Sequence, residues 1–220
     1  MIVLGIDGAL GSFSCAVVRD GECLSSAELA GAVALEQGLS SIAMVLGQAG
    51  IVPEKLDRIA IGIGPGGFTG LRIALSYAKS LAQAWRAPIT AISSFDILET
   101  GLKELPRLTV VPGRTGVVSV RLRTAAGDRR ESGYVRDVLD ALAADLGDCL
   151  TVLGAPEDVL AALGERGVIV HMIERIVEPA ALAAALASTG REPARSVHEL
   201  RADYGELPAV STPKKRPAAP

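Results

Sequence analysis

The sequence is short of aromatic residues, cysteines and basic charge, and each shortage excludes a class of protein. Aromatic residues make up only 3% of the 220 residues while 49% are hydrophobic, so the core must be built from Leu, Ile, Val and Ala. Cys15, Cys23 and Cys149 are too few and too badly spaced for a disulfide framework or a zinc site, which favours a reducing compartment. The formal net charge of -3 provides no global basic field that would attract RNA.

Long apolar runs and catalytic signatures are also missing. No apolar run approaches about 18 residues, and the N-terminus has neither a basic lead-in nor a cleavage pattern, so we expect a cytoplasmic protein without a membrane span. His171 and His198 have no acid or thiol at ligand or catalytic spacing. No Gly-x-Ser-x-Gly elbow and no plausible Cys–His pair is present. The sequence therefore predicts no catalytic residue and no metal site.

The most informative stretch is a glycine-rich loop between a strand and a helix. The apolar run Ile59–Ile63 is typical of a buried strand, and the apolar residues from Leu71 to Trp85 follow helical spacing. Thr69 is the expected N-cap of that helix.

Nucleotide binding is one interpretation of this loop, since Gly62-x-Gly64-x-x-Gly67 fits the letters of the dinucleotide-binding pattern. The context is poor, because Pro65 removes a backbone donor where the pyrophosphate would lie. A P-loop would need a lysine directly after its last glycine, where Leu71 stands. The favoured interpretation is a tight connection packed against another backbone.

A longer motif carries a family resemblance. Residues 64–73, Gly-Pro-Gly-Gly-Phe-Thr-Gly-Leu-Arg-Ile, followed by Ala-Lys-Ser-Leu-Ala at 78–82, resemble the signature of the TsaB family, which takes part in bacterial tRNA threonylcarbamoyladenosine biosynthesis. Only Gly67 departs, replacing a serine, and the resemblance extends from Met1 to about Asp96. The family loop motif consists of Gly64, Pro65, Gly66, Gly67, Phe68, Thr69, Gly70, Leu71 and Arg72.

The resemblance implies a fold and a set of partners. TsaB proteins are similar to the actin-like ATPase (ASKHA) superfamily but work beside a catalytic relative, TsaD. It implies a TsaD-like catalytic subunit and a TsaE-like ATPase as partners, a homodimer when alone, and contact with tRNA only through a partner. ATP, magnesium and metal are then expected in the partner subunits and not in this chain.

The first turn of the chain is a weakened version of a phosphate turn. Ile2–Asp7 is a predicted strand, and in the actin-like superfamily the turn after it holds phosphates while the acid supports a metal. Family members usually have Ile-Asp-Thr-Ser here, but this chain has Ile-Asp-Gly-Ala at 6–9, so Asp7, Gly11 and Ser12 form only a residual phosphate turn. Asp7 is either a metal or water ligand or, as we favour, an acid that caps its own turn. We expect no ATP hydrolysis.

Two helices are candidates for a partner interface. Residues 35–49 form a predicted helix with a wide apolar surface and no charge after Glu36. Such a helix either packs on its own sheet or meets another protein, and the resemblance favours the second interpretation. The expected interface residues are Glu36, Leu39, Ile42, Ala43 and Leu46 on this helix and Ala74, Ala78 and Leu81 on the next.

The order of elements predicts an α/β protein. Three meander strands followed by alternating helices and strands indicate a ribonuclease H-like unit with a mixed sheet flanked by helices, over residues 1–102. Residues 103–206 are expected to form a smaller, degenerate α/β copy, and residues 207–220 a disordered, Pro-rich basic tail. The hairpin around residues 114–130 carries five arginines, which indicate either a solvated face, as we favour, or an RNA contact: Arg114, Arg121, Arg123, Arg129 and Arg130.

Two classes of function remain. The first is a non-catalytic partner subunit of the tRNA-modification complex, which would explain the long motif and the weakened phosphate turn. The second is a stand-alone enzyme, either an ASKHA-type kinase or a glycopeptidase. A kinase would need a second phosphate turn and an adenosine loop, and a peptidase would need a nucleophile or a metal site; the sequence indicates none of these.

Overall fold

The computed structural model describes residues 1–30, 33–174 and 177–205. The tail predicted at 207–220 lies outside the described residues. The elements of the first half are β1 Ile2–Asp7, β2 Phe13–Arg19, β3 Glu22–Leu29, α1 Ala34–Gln48, β4 Arg58–Gly62, α2 Phe68–Trp85, β5 Ile89–Ile92 and α3 Ser94–Leu98. Those of the second half are β6 Arg107–Pro112, β7 Val117–Thr124, β8 Gly127–Tyr134, α4 Val135–Leu146, β9 Cys149–Leu153, α5 Glu157–Glu165, β10 Ile169–Ile173 and α6 Pro179–Ala187.

The first sheet is mixed, with strand order β3-β2-β1-β4-β5. Strand β2 pairs antiparallel with both β1 and β3. Strand β4 pairs parallel with β1, and β5 pairs parallel with β4. Alternation along β1 sends Leu4 and Ile6 into the core and Val3 into a smaller cluster on the opposite face. This arrangement confirms the predicted ribonuclease H-like order.

The second sheet repeats the topology of the first. Its order is β10-β9-β6-β7-β8, so the first strand in sequence again lies at the centre, with two antiparallel strands on one side and two parallel strands on the other. Helices α4 and α5 cover one face, where Leu108 and Val110 pack with Leu139 and Leu142. Helix α4 is absent from the sequence-based prediction, although its buried residues follow helical spacing.

Helix α6 corrects the predicted domain boundary. It packs on the first sheet, not the second, and its buried alanines, among them Ala180 and Ala184, lie against β1. Gly5 makes this close packing possible, because a Cβ added there would lie 1.9 Å from the carbonyl oxygen of Ala180. Assigning residues 179–187 to the second unit was therefore wrong. We call residues 1–99 with 177–205 the first lobe and residues 107–174 the second lobe.

The segment after α6 stays with the first lobe. The Ala194 N–H donates to the Ile89 carbonyl at 2.8 Å, and the Asp203 N–H donates to the Ile63 carbonyl at 2.7 Å. The chain therefore crosses to the second lobe after α3 and returns before α6. Within the described ranges, no helix combines the length and the apolar character needed to span a membrane.

Candidate functional site

The glycine loop packs directly against the turn that follows β1. The Gly67 N–H donates to the Ala9 carbonyl at 2.8 Å. A Cβ on Gly66, whose φ is 153°, would lie 2.1 Å from that same oxygen, and a Cβ on Gly70 would lie 2.2 Å from the carbonyl oxygen of Gly8. The two backbones interlock only because these side chains are absent, which confirms the interpretation as a tight connection.

The other residues of the family loop motif divide into a buried and an exposed set. Gly64, Pro65 and Leu71 are buried, whereas Phe68, Thr69 and Arg72 are exposed. Thr69 is not the N-cap, because α2 already begins at Phe68 and no side chain caps it. The exposed Phe68 ring stacks with Tyr204 at a centroid distance of 5.0 Å, a contact that the sequence analysis missed.

Asp7 caps its own turn. Its Oδ1 accepts hydrogen bonds from the N–H groups of Ala9 at 3.0 Å and Leu10 at 3.1 Å. Its Oδ2 is buried without a hydrogen-bond partner among the described residues, and it lies 1.8 Å from where a Cβ on Gly62 would be. Complete burial raises the pKa of Asp7 to about 6, although the two backbone hydrogen bonds oppose the rise. This geometry agrees with the favoured capping role.

A cleft of about 440 Å³ lies between the two lobes, beside the residual phosphate turn. Gly11 and Gly67 line its first-lobe side, and Val110, Val111 and Gly154 line its second-lobe side. Every lining side chain is uncharged, so a phosphate bound there would meet no cationic partner in the lining. Among the described residues, no group of at least three His, Cys, Asp or Glu side chains could hold a metal ion.

Half of the predicted interface residues face inward. Ile42 is 2% exposed and Leu46 is 5% exposed, because both pack in the core beneath α1. Ala74 and Ala78 on α2 are fully buried in the same core. Assigning these four to a partner surface was wrong, since no partner reaches them in the folded chain.

The other residues lie on the outer surface. Glu36, Leu39 and Ala43 are exposed and Leu81 is half-buried, so their role at an interface stays a prediction. Leu35 and Met44 also project from α1, at 67% and 46% exposure. We call Leu35, Glu36, Leu39, Ala43 and Met44 the α1 face.

Helix α2 fixes the position of α1. The Tyr77 hydroxyl on α2 donates to the Leu35 carbonyl at 2.6 Å. Its ring lies so close to Gly38 that a Cβ there would be 2.5 Å from a ring carbon. These contacts fix the backbone of α1 against α2.

Two arginines of the hairpin form ion pairs with carboxylates outside it. Arg121 is 2% exposed and donates to Glu99 Oε1 at 2.8 Å. Arg129 pairs with Asp145 at 2.5 Å. The interpretation of the hairpin as a solvated face is therefore wrong at Arg121, and no sequence pattern indicates that Glu99 is its partner.

Comparisons with known proteins agree with this architecture. The family model for TsaD, tRNA N6-adenosine threonylcarbamoyltransferase, matches residues 28–146, more than half of the chain. The chain is 35% identical over 97 residues to the tRNA threonylcarbamoyladenosine biosynthesis protein TsaB of Buchnera aphidicola, covering 44% of this chain and 46% of that protein. The chain spans about half the length, or less, of the curated relatives it matches.

Solved structures confirm the predicted actin-like fold. A Pseudomonas aeruginosa protein described as similar to peptidase YeaZ superposes with a TM-score of 0.72 at 21% identity, covering 93% of this chain and 99% of that one. A Bacteroides thetaiotaomicron protein described as having an actin-like ATPase fold superposes with a TM-score of 0.50 at 10% identity, covering 85% of this chain and 95% of that one.

Proposed function

Because this chain belongs to the TsaD family, and within it to the TsaB proteins, we propose that it is a non-catalytic partner subunit in the modification of tRNA to N6-threonylcarbamoyladenosine. In this role it binds a TsaD-type catalytic subunit and stabilises that subunit's active arrangement. The catalytic subunit then transfers threonylcarbamoyl to N6 of adenosine 37. A TsaE-type ATPase joins the same assembly, and tRNA is contacted through the partners.

The α1 face is the observation that carries this proposal. Leu35, Leu39 and Met44 lie on the same helix and are 67%, 49% and 46% exposed, although the chain has a large core that could bury such side chains. Several large apolar side chains exposed on one helix are typical of a protein–protein interface. The Tyr77 contacts support the proposal further, because a preorganised surface loses little conformational entropy on binding. The same face serves a homodimer when the partner is absent.

The chemistry of the interlobe cleft supports the non-catalytic part of the proposal. Its lining is uncharged, and the Asp7 carboxylate already accepts two backbone hydrogen bonds in its own turn. We expect the isolated protein to show no saturable ATP turnover at micromolar concentration. Turnover would instead favour a stand-alone kinase.

A pair of matched leucine substitutions tests the docking surface. Leu39→Glu places a charge on the α1 face, and Leu105→Glu places the same charge on a leucine of similar exposure, 47% against 49%, in the segment between the lobes. We expect Leu39→Glu to weaken co-purification with the TsaD-type protein of the same cell at least tenfold, and Leu105→Glu to leave it unchanged. Equal retention of the partner by both variants would rule out the α1 face as the docking surface.

A further inference from the structure

A group of buried charges joins the two lobes beside the cleft. Glu99 directly follows α3 of the first lobe, and Arg107 and Arg121 lie on β6 and β7 of the second lobe. Both arginines are 2% exposed and Glu99 is 6% exposed. Together with Asp96 on α3, we call these residues the interlobe clasp.

Because side chains alternate between the two faces of a strand, Arg107 and Arg121 project from the face of the second sheet that meets the first lobe. In the β6–β7 ladder, Thr109 lies opposite Arg121 and Arg107 lies opposite Arg123, so all four side chains project from one face of the sheet. The intervening residues, among them Leu108, project into the core beneath α4 and α5. The polar face of this ladder therefore meets α3.

Glu99 collects hydrogen bonds from both strands. Arg107 Nη2 donates to Glu99 Oε2 at 2.8 Å, and Arg121 Nε donates to Glu99 Oε1 at 2.8 Å. The Thr109 hydroxyl donates to the same Oε1 at 2.7 Å. Burial by itself raises the pKa of Glu99, but the hydrogen bonds from Arg121, Thr109 and Arg107 outweigh it and hold that pKa below its usual range.

Asp96 extends the contact to the edge of the interface. Arg121 Nη1 donates to Asp96 Oδ1 at 2.7 Å, and Arg191 from the C-terminal segment donates to Asp96 Oδ2 at 3.0 Å. The Arg121 guanidinium also lies 5.2 Å from the centre of the Phe95 ring. Arg121 is thus held by three side chains of α3 and its end, and each of these contacts crosses between the lobes.

We propose that the interlobe clasp holds the two lobes at a single separation, so that the cleft keeps one width without a ligand between the lobes. Two buried guanidinium groups lose their countercharge when the lobes part, and buried charges are stable only when they are paired. The lobes accordingly move as one rigid body. The second lobe supports the first instead of closing over a substrate.

Two natural cysteines allow a direct test in the full chain. Cys23 on β3 and Cys149 on β9 are exposed, one on each lobe, while Cys15 is buried. Burial also raises the pKa of the Cys15 thiol to about 12, so its labelling is slow. Nitroxide labels on Cys23 and Cys149 then report the separation of the lobes by pulsed electron paramagnetic resonance.

The variant that releases the clasp is Glu99→Gln, which keeps the shape of the side chain but removes its charge. Its control is Glu165→Gln, the same change at an exposed residue that lies 3.9 Å from Arg136. We expect one narrow distance distribution for the wild type and for Glu165→Gln. Glu99→Gln should broaden the distribution about twofold or add a longer distance, as hinge opening does.

Asp96→Asn is the second variant, for the case in which Glu99→Gln fails to fold. The Asp96 side chain is 21% exposed, and its loss leaves Glu99 paired, so a smaller broadening is expected. The proposal is overturned if Glu99→Gln folds and shows the wild-type distance distribution. If Glu99→Gln does not fold, the wild-type distribution in Asp96→Asn overturns it. A broad or bimodal distribution in the wild type would overturn it as well. The experiment uses no partner protein, so its outcome is independent of the docking proposed for the α1 face.

Discussion

Replacing Asp7 with asparagine should remove a pH dependence from the stability of the fold. Asp7 is fully buried, and its Oδ1 accepts the N–H groups of Ala9 and Leu10. Asparagine keeps an oxygen acceptor for these bonds but cannot ionise. The difference in unfolding free energy between the two proteins therefore isolates the cost of the buried charge.

The sign and size of the effect follow from the pKa of Asp7. Burial raises this pKa from 3.8 to about 6, so between these two values the folded state binds more protons than the unfolded state. The stability of the wild type therefore falls as the pH rises through this window. Each pH unit between the two pKa values is worth about 1.4 kcal/mol, so the total loss is about 3 kcal/mol.

Urea denaturation at pH 4 and at pH 7.5 measures this difference. The wild type should lose about 2 kcal/mol relative to Asp7→Asn between the two conditions, because part of the total loss has already occurred at pH 4. Effects of acid on other carboxylates occur in both proteins and cancel in the comparison. Asp148→Asn, at an exposed aspartate, serves as the control and should show no such change. If the unfolding free energies of the wild type and Asp7→Asn differ by the same amount at both pH values, the reasoning is refuted.

Three further predictions concern stability and are measured by urea unfolding at neutral pH. Gly70→Ala should destabilise the protein because the added Cβ would lie 2.2 Å from a backbone oxygen. Gly47 is also in a helix but has open space around it, so Gly47→Ala should stabilise the protein by about 0.5–1 kcal/mol. Glu99→Gln should cost about 3–5 kcal/mol, since it leaves buried arginines without a full countercharge; a cost under about 1 kcal/mol would contradict this. Leu46→Ala should cost about 2–5 kcal/mol as a core truncation, whereas Leu39→Ala should stay within about 0.5 kcal/mol of the wild type. Equal costs for the two leucines would contradict the burial assigned to them.

The part of the first lobe formed by residues 1–98 was predictable because its signals are local. Continuous apolar strands, the glycine loop and the order of helices and strands specify the ribonuclease H-like unit without long-range information. In the second lobe, α4 was missed although Val135, Val138, Leu139 and Leu142 have helical spacing. Strand β8 ends at Tyr134 and α4 begins at Val135, so no loop marks the place where the hydrophobic period changes.

Other features depend on contacts that sequence patterns do not encode. Six of the nine residues of helix α6 are alanine and the others are Pro or Leu, so it has no polar face to indicate which sheet it covers. On α1, Leu39 and Leu46 are both apolar at helical spacing, and only packing decides that the first is exposed and the second buried. The pairing of Glu99 with Arg107 and Arg121 joins different elements across the two lobes, and no local sequence pattern predicts such a contact.

The proposed function depends most on the α1 face acting as a docking surface in tRNA modification. The most direct measurement is the content of N6-threonylcarbamoyladenosine in tRNA from cells that lack their own TsaB gene and carry this chain. The wild type and Leu105→Glu should restore the modified nucleoside, and Leu39→Glu should not. Full restoration by Leu39→Glu, or no restoration by the well-expressed wild type, would contradict the account.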